Sequence, residues 1–170
     1  MKHVNVALFV PHAGCPHQCS FCNQKTISGS IKPLTPEDVT AACDIAKNGG
    51  VTRETSEIAF FGGSFTAVDR DYMVSLLEAA KPYIDGGYFG GIRISTRPDA
   101  IDDERLEILK KYHVTSIELG AQSMDDDVLK INRRGHTAKD VENASHLIKS
   151  YGFSLGLQMM TGLMGDNDEK

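Results

Sequence analysis

The chain has 170 residues, four of them cysteine, with 41% hydrophobic and 24% charged content and a formal charge of -5. That is the make-up of one globular domain able to bury roughly 70% of the surface its extended chain exposes, so folding does not depend on a metal. The acidic balance argues against a surface given over to phosphate backbones, although a local basic patch is compatible with it, and no stretch approaches the ~20 apolar residues of a membrane span.

The N-terminal run to Val10 is apolar, short and closed by Pro11, too short for a signal peptide and without a small-residue cleavage site. Val4 to Val10 is rich in β-branched residues and predicts a strand buried on both faces. Cys15-Pro16-His17-Gln18-Cys19-Ser20-Phe21-Cys22 follows it in a loop. Three thiolates so spaced can face one small object. A closed 4Fe-4S site takes four cysteines, so three local ones leave one iron open for another ligand. Zinc is the alternative, with His12, His17 or Cys43 completing a tetrahedron, but zinc ribbons usually repeat a Cys-x2-Cys pair and no second pair exists here. A disulfide framework fits worst, because three of the four cysteines crowd into eight positions. Thiolates kept free for a cluster point to a reducing compartment, the cytoplasm.

Thr35-Pro36-Glu37-Asp38 predicts a helix start, with a capping hydroxyl, proline at the first helical position and acids in the first turn. Val39, Ala42, Cys43 and Ala46 then share one face, which makes Cys43 a small core residue rather than a ligand. A second strand over Ile58 to Phe61 ends in Gly62-Gly63-Ser64, and a helix over Asp69 to Tyr83 carries Met73, Leu76, Leu77 and Ala80 on one stripe. Gly91 to Ser95 is the third strand, Asp102 caps the next helix, and Val114 to Leu119 is the fourth strand. Ser123 to Asp126 caps a short helix, Thr137 to Asp140 a longer one, and Phe153 to Met160 supplies a fifth strand.

Strand, loop and helix in repetition imply a parallel sheet with right-handed crossovers. The cysteines, Gly62 to Ser64, Ser95 to Asp99, Glu118 to Gln122 and Thr161 to Gly162 all fall at the C-terminal ends of successive strands. Barrel enzymes carry their chemistry there, whereas an open α/β sheet gathers its ligand at one switch point. The fold class is therefore α/β, a partial parallel (β/α) TIM-like barrel.

Cys-x3-Cys-x2-Cys with an aromatic residue before the last cysteine resembles the motif of the radical S-adenosylmethionine (SAM) superfamily. Ser95-Thr96-Arg97-Pro98-Asp99, Glu118-Leu119-Gly120-Ala121-Gln122-Ser123 and Arg133-Arg134-Gly135-His136 resemble, in that order, the radical SAM domain of the Elongator catalytic subunit and its bacterial relatives. More distantly they resemble oxygen-independent coproporphyrinogen oxidase. The resemblance implies that Cys15, Cys19 and Cys22 hold a 4Fe-4S cluster whose open iron is chelated by SAM, and that an electron from the cluster cleaves SAM to a 5'-deoxyadenosyl radical. It implies that the backbone of Gly62, Gly63 and Ser64 receives the SAM amino group, a task suited to residues a ligand can approach without meeting a Cβ. It further implies Ser95 at the ribose or amino group, Gln122 near the ribose and Arg134 on the carboxylate, where a guanidinium fork suits a carboxylate. Phe21 would stack on the adenine and Met160 would touch it. Taken singly, the glycines also read as a tight turn, Phe21 as a loop anchor, Met160 as sheet core and Arg134 as a surface arginine. His12 and His17 receive no role.

An electron donor such as flavodoxin or ferredoxin, and a transfer RNA base as substrate, are further implications of the same resemblance. Two departures from the family pattern stand out. Gly162-Leu163-Met164-Gly165 occupies the place of Gly-Leu-Pro-Gly, and the sequence stops at Lys170, after five strands where such cores generally have six. The expectation is a radical SAM core over residues 1–170 with its sixth strand missing. A non-catalytic zinc or iron-sulfur module, or a regulatory barrel fragment, is the competing reading.

Overall fold

The computed structural model describes residues 4–11, 19–22 and 32–167; His12, Cys15 and His17 lie outside them. Five strands, β1 (Val4–Val10), β2 (Ser56–Gly62), β3 (Ile92–Thr96), β4 (Val114–Gln122) and β5 (Ser154–Met159), pair in parallel in the order of the sequence. The strand order never reverses, so the sheet has no switch point and winds as part of a barrel, as its pattern predicts.

The helices are α1 (Pro36–Asn48), α2 (Arg70–Asp85), α3 (Asp103–Lys111), α4 (Asp126–Ile131) and α5 (Ala138–Ser150). Their starts are written in the sequence. Thr35 and Asp38 form a capping box at α1, Thr137 and Asp140 another at α5, and Asp69 and Asp102 accept from the third amide of α2 and α3. α4 begins at Asp125, within the span expected for its cap. α1, α2, α3 and α5 present apolar stripes to the same side of the sheet, where Met73, Leu76, Leu77, Leu106, Val141 and Ile148 pack with Ile58, Phe60, Ile92, Ile94 and Ile117 in one cluster. Cys43 belongs to that cluster, fully buried, and burial above all, with the neighbouring Asp44 charge, pushes its thiol up to about 12. It is core, as its helical face predicts.

One expectation fails. β1 is not buried on both faces: Val6, Leu8 and Val10 face the core, while Val4, Asn5 and Ala7 are exposed. β1 is an edge strand, and its second face looks into the barrel interior rather than onto a second helix layer. β5, at the other edge of the described sheet, exposes Leu157 and Met159.

Candidate active site

Alternation along the strands separates two surfaces. The residues facing away from the helices, among them Asn5, Arg93, Ser95, Glu118 and Gln158, line a cavity of about 440 Å³, a volume within the range of small-molecule sites. Its upper wall is made by residues at and beyond the C-terminal strand ends: Gly62, Gly63 and Ser64 after β2, Thr96 and Arg97 at β3, and Gln122 at β4. Cys19, Cys22 and Arg134 complete it.

Arg134 is delivered by an uncommon turn. After α4 the Arg134 amide donates to the Leu129 carbonyl and the Arg133 amide to that of Lys130, each at 3.0 Å. This is a Schellman ending with Arg133, φ 56°, at the position glycine normally takes. A left-handed arginine there costs about 1 kcal/mol or more, and what it secures is the direction of the next side chain. Arg134 is buried; Nη1 donates to the Cys19 sulfur at 3.3 Å and Nη2 to the Gly120 carbonyl at 2.6 Å. Its guanidinium lies over the Phe21 ring, 5.7 Å from the centroid, and among the described residues its buried Nε has no hydrogen-bond partner.

The cysteine segment is tied to the same turn. The Ser20 amide donates to the Asn132 carbonyl at 3.1 Å, and Ser20 Oγ donates to Asn132 Oδ1 at 2.8 Å. Asn132 Nδ2 in turn donates to the carbonyls of Val128 and Met164. One buried amide thus joins the cysteine segment, the end of α4 and the loop after β5.

A second network fixes the Gly62-Gly63-Ser64 turn. Thr66 Oγ1 donates to the Ala100 carbonyl at 2.5 Å, so it accepts from Thr96 Oγ1, which accepts from Ser64 Oγ, which accepts from the Arg97 amide. A backbone donor at one end and a carbonyl at the other leave this buried hydroxyl chain a single direction. Ser64 therefore has its hydroxyl proton committed inside the fold, and its carbonyl already accepts from the Ala67 amide. Gly62 sits at φ 105° with the Phe9 ring 2.3 Å from where a Cβ would stand, which is why this turn is glycine.

Below the turn the inner face is polar. Arg93 donates to Glu57 at 2.7 Å and to Glu118 at 3.0 Å, and Glu118 also accepts from Ser95 Oγ and Gln158 Nε2. β4 slips register between Leu119 and Gln122 and ends at Gln122 with φ 70°, a bulge that re-aims the glutamine. At Gly120 beside it a Cβ would stand 3.2 Å from Gln122 Nε2, a tight approach that the glutamine would have to relieve by a small shift.

His136 is buried beneath Arg134. Its Nε2 lies 3.1 Å from the Ala121 carbonyl, which only accepts, so Nε2 carries the proton and the bare, buried Nδ1 has no partner among the described residues. Burial first, then the Arg134 charge, pull its pKa down to about 4. The unfolded imidazole, near 6.5, binds more protons over the window between those values, so stability falls as pH drops through it. About 2 kcal/mol should be lost between pH 7 and pH 5, and His136→Gln should flatten the loss in denaturant titrations at the two pH values. Equal pH dependence in both proteins would remove His136 as the cause.

Of the residues predicted for the site, Cys19, Cys22, Gly62, Gly63, Ser64, Ser95, Gln122 and Arg134 line this one cavity. Cys15 lies outside the described residues. Phe21 is not on the lining and lies against Arg134; Met160 follows β5, half-exposed, its amide donating to the Gln122 carbonyl. Sequence reading quoted Arg97 and Glu118 within motifs without giving them a role, and it missed Asn132 and Arg93. Arg93 left a signal, as a lone cation inside the apolar alternation of β3.

A parallel partial barrel with cysteines and a buried arginine at its C-terminal mouth defines a class of cofactor-dependent barrel enzymes. The sequence model of the Radical SAM superfamily matches residues 9–170, and the chain belongs to that superfamily. It is 26% identical to the tRNA uridine(34) acetyltransferase of Dehalococcoides mccartyi, a match covering 97% of this chain and 43% of the relative. It is 31% identical to human Elongator complex protein 3 over 69% of this chain and 24% of that protein. The chain thus spans less than half the length of these curated relatives. Among solved structures, the archaeal Elp3 of Methanocaldococcus infernus superposes with a TM-score of 0.71 at 20% identity, covering 99% of this chain and 41% of that one. The AdoMet-bound anSMEcpe superposes with a TM-score of 0.68 at 19% identity, covering 91% and 43%. No described helix is long and apolar enough to cross a membrane.

Proposed function

We propose that residues 1–170 form a radical SAM core that holds a 4Fe-4S cluster through Cys15, Cys19 and Cys22 and SAM beside it, in the cytoplasm, with a transfer RNA uridine as the substrate class. The substrate class is supported by similarity to curated tRNA uridine(34) acetyltransferases. The observation that carries the rest is the convergence of Cys19, Cys22 and Arg134 on one cavity with the Gly62–Gly63 turn.

The residues present fit the group. Among the described residues no three histidine, cysteine or acidic side chains form a metal site by themselves, so Cys15 is assigned as the third ligand from the motif. Two thiols sit at the cavity wall, a buried guanidinium has donor capacity left, and Gly62 occupies a position where a Cβ would crowd its neighbours. When bound, the cluster supplies one electron to the sulfonium of SAM. The protein's part is to bind, orient and exclude water. Gly62 and Gly63 offer their main chain to the amino group, since Ser64 has committed its own hydroxyl and carbonyl. Arg134 would hold the carboxylate and Gln122 and Ser95 the ribose, while Phe21 and Met160, which lie outside the cavity lining, would have to turn toward it to meet the adenine. The electron enters from a small donor protein of the flavodoxin or ferredoxin kind.

Protein loaded anaerobically with iron and sulfide and reduced with dithionite is expected to convert SAM slowly to 5'-deoxyadenosine and methionine, measured by chromatography. A colourless protein that takes up zinc, or an iron-loaded one that yields no 5'-deoxyadenosine, would turn the reading to a non-catalytic metal-binding module.

A further inference from the structure

The cavity contains three arginines, and they differ in how their charge is met. Arg97 donates from Nε and Nη2 to Asp99, and Arg93 lies between Glu57 and Glu118. Arg134 has no carboxylate partner among the described residues; it faces the Cys19 sulfur, a carbonyl and an aromatic ring. Its position is also the most tightly held: the Schellman turn fixes its backbone, Arg97 Nη2 donates to its carbonyl at 2.6 Å, and Nη2 is anchored on Gly120.

We propose that Arg134 is a positioning residue that sets the reduction potential of the cluster through its Nη1 donor on the Cys19 sulfur, apart from any contact it makes with SAM. The inference rests on the reading of Cys19 as a cluster ligand. Reduction adds one negative charge, spread over the cluster and its thiolates. An uncompensated cation 3.3 Å from one of those sulfurs, with both residues more than nine-tenths buried, stabilises that charge with little screening by solvent or salt. Hydrogen bonds to the sulfurs, net charge and exposure are the levers by which a protein moves such a potential. The hydrogen bond and the positive charge act toward easier reduction; burial by itself opposes the added charge, but it also keeps the cation's effect from being screened.

The test is an EPR-monitored redox titration of the reconstituted chain without SAM, so that the carboxylate contact plays no part. In Arg134→Gln the equilibrium for one-electron reduction should fall about tenfold, a shift of about 59 mV to lower potential, and Arg134→Lys should recover part of it. Asn132→Ala, which loosens the cysteine segment while leaving the cation in place, should make the cluster labile without lowering its potential. Should Arg134→Gln fail to fold, wild-type protein labelled with 15N-arginine decides, because pulsed EPR of its reduced cluster should show a nitrogen coupling. An assembled cluster with unchanged potential in Arg134→Gln, no 15N coupling in the wild type, or an equal fall in Asn132→Ala would overturn this inference alone. Failure of the wild type to assemble any cluster would overturn it together with the assignment of Cys19.

Discussion

Replacing Cys15, Cys19 or Cys22 by alanine is expected to abolish the iron-sulfur chromophore of the reconstituted chain, and replacing Cys43 to leave it intact. Cys19 and Cys22 stand on the cavity wall within one turn of chain, the Cys22 amide donating to the Cys19 carbonyl at 3.1 Å. A cluster held by three thiolates has no fourth protein sulfur to replace a lost one. Cys43 lies in the apolar cluster between α1 and the sheet, and burial pushes its thiol up to about 12. Its protonated form is therefore the one present near neutrality, which suits packing and not metal binding. Cys43→Ala should cost about 1 kcal/mol of stability, the scale of a small core truncation, with no loss of iron. A full cluster retained in Cys19→Ala, or lost in a folded Cys43→Ala, would break the ligand assignment.

SAM affinity is expected to fall by roughly 1.5 to 3 kcal/mol in Arg134→Ala, the scale of a hydrogen bond to a charged group. Arg134→Lys should recover only part, because an ammonium cannot reproduce the planar fork. The measurement is a SAM titration of cluster-loaded protein. The tertiary structure sharpens the alternatives. Arg133, next in the chain, lines a separate depression with Asp126, Lys130 and Thr137, so it cannot take over the role. Unchanged affinity in Arg134→Ala would move the carboxylate to Arg97, the other arginine at the upper wall.

Local chemistry was legible in the sequence wherever cause and effect lie within a few residues. The capping boxes of α1 and α5 span three residues each, the helix stripes recur every three or four, and the cysteine motif occupies eight consecutive positions. Strand order followed from the same regularity, since polar residues recur at each strand's C-terminal end. That Cys43 is core was readable for this reason, whereas the grouping of Ser95, Gln122 and Arg134, which line one cavity, came from the family resemblance alone.

What only the tertiary structure decided depends on partners far apart in the chain. The Arg134–Cys19 contact joins residues separated by 115 positions and the Ser20–Asn132 bond residues separated by 112; no periodicity encodes such pairs. β1 reads as doubly buried because six apolar residues around a single asparagine look alike whether the second face meets a helix or an open barrel interior. The Schellman ending at Arg133 was hidden because the glycine that normally signals it is absent. Ser64 looked available to a ligand until Thr96, Thr66 and the Arg97 amide, from other segments, took up both of its hydrogen-bonding roles. The sequence by itself determined that polar residues recur at the C-terminal strand ends, because alternation and capping are local; the packing of distant segments decided which of their atoms are already engaged.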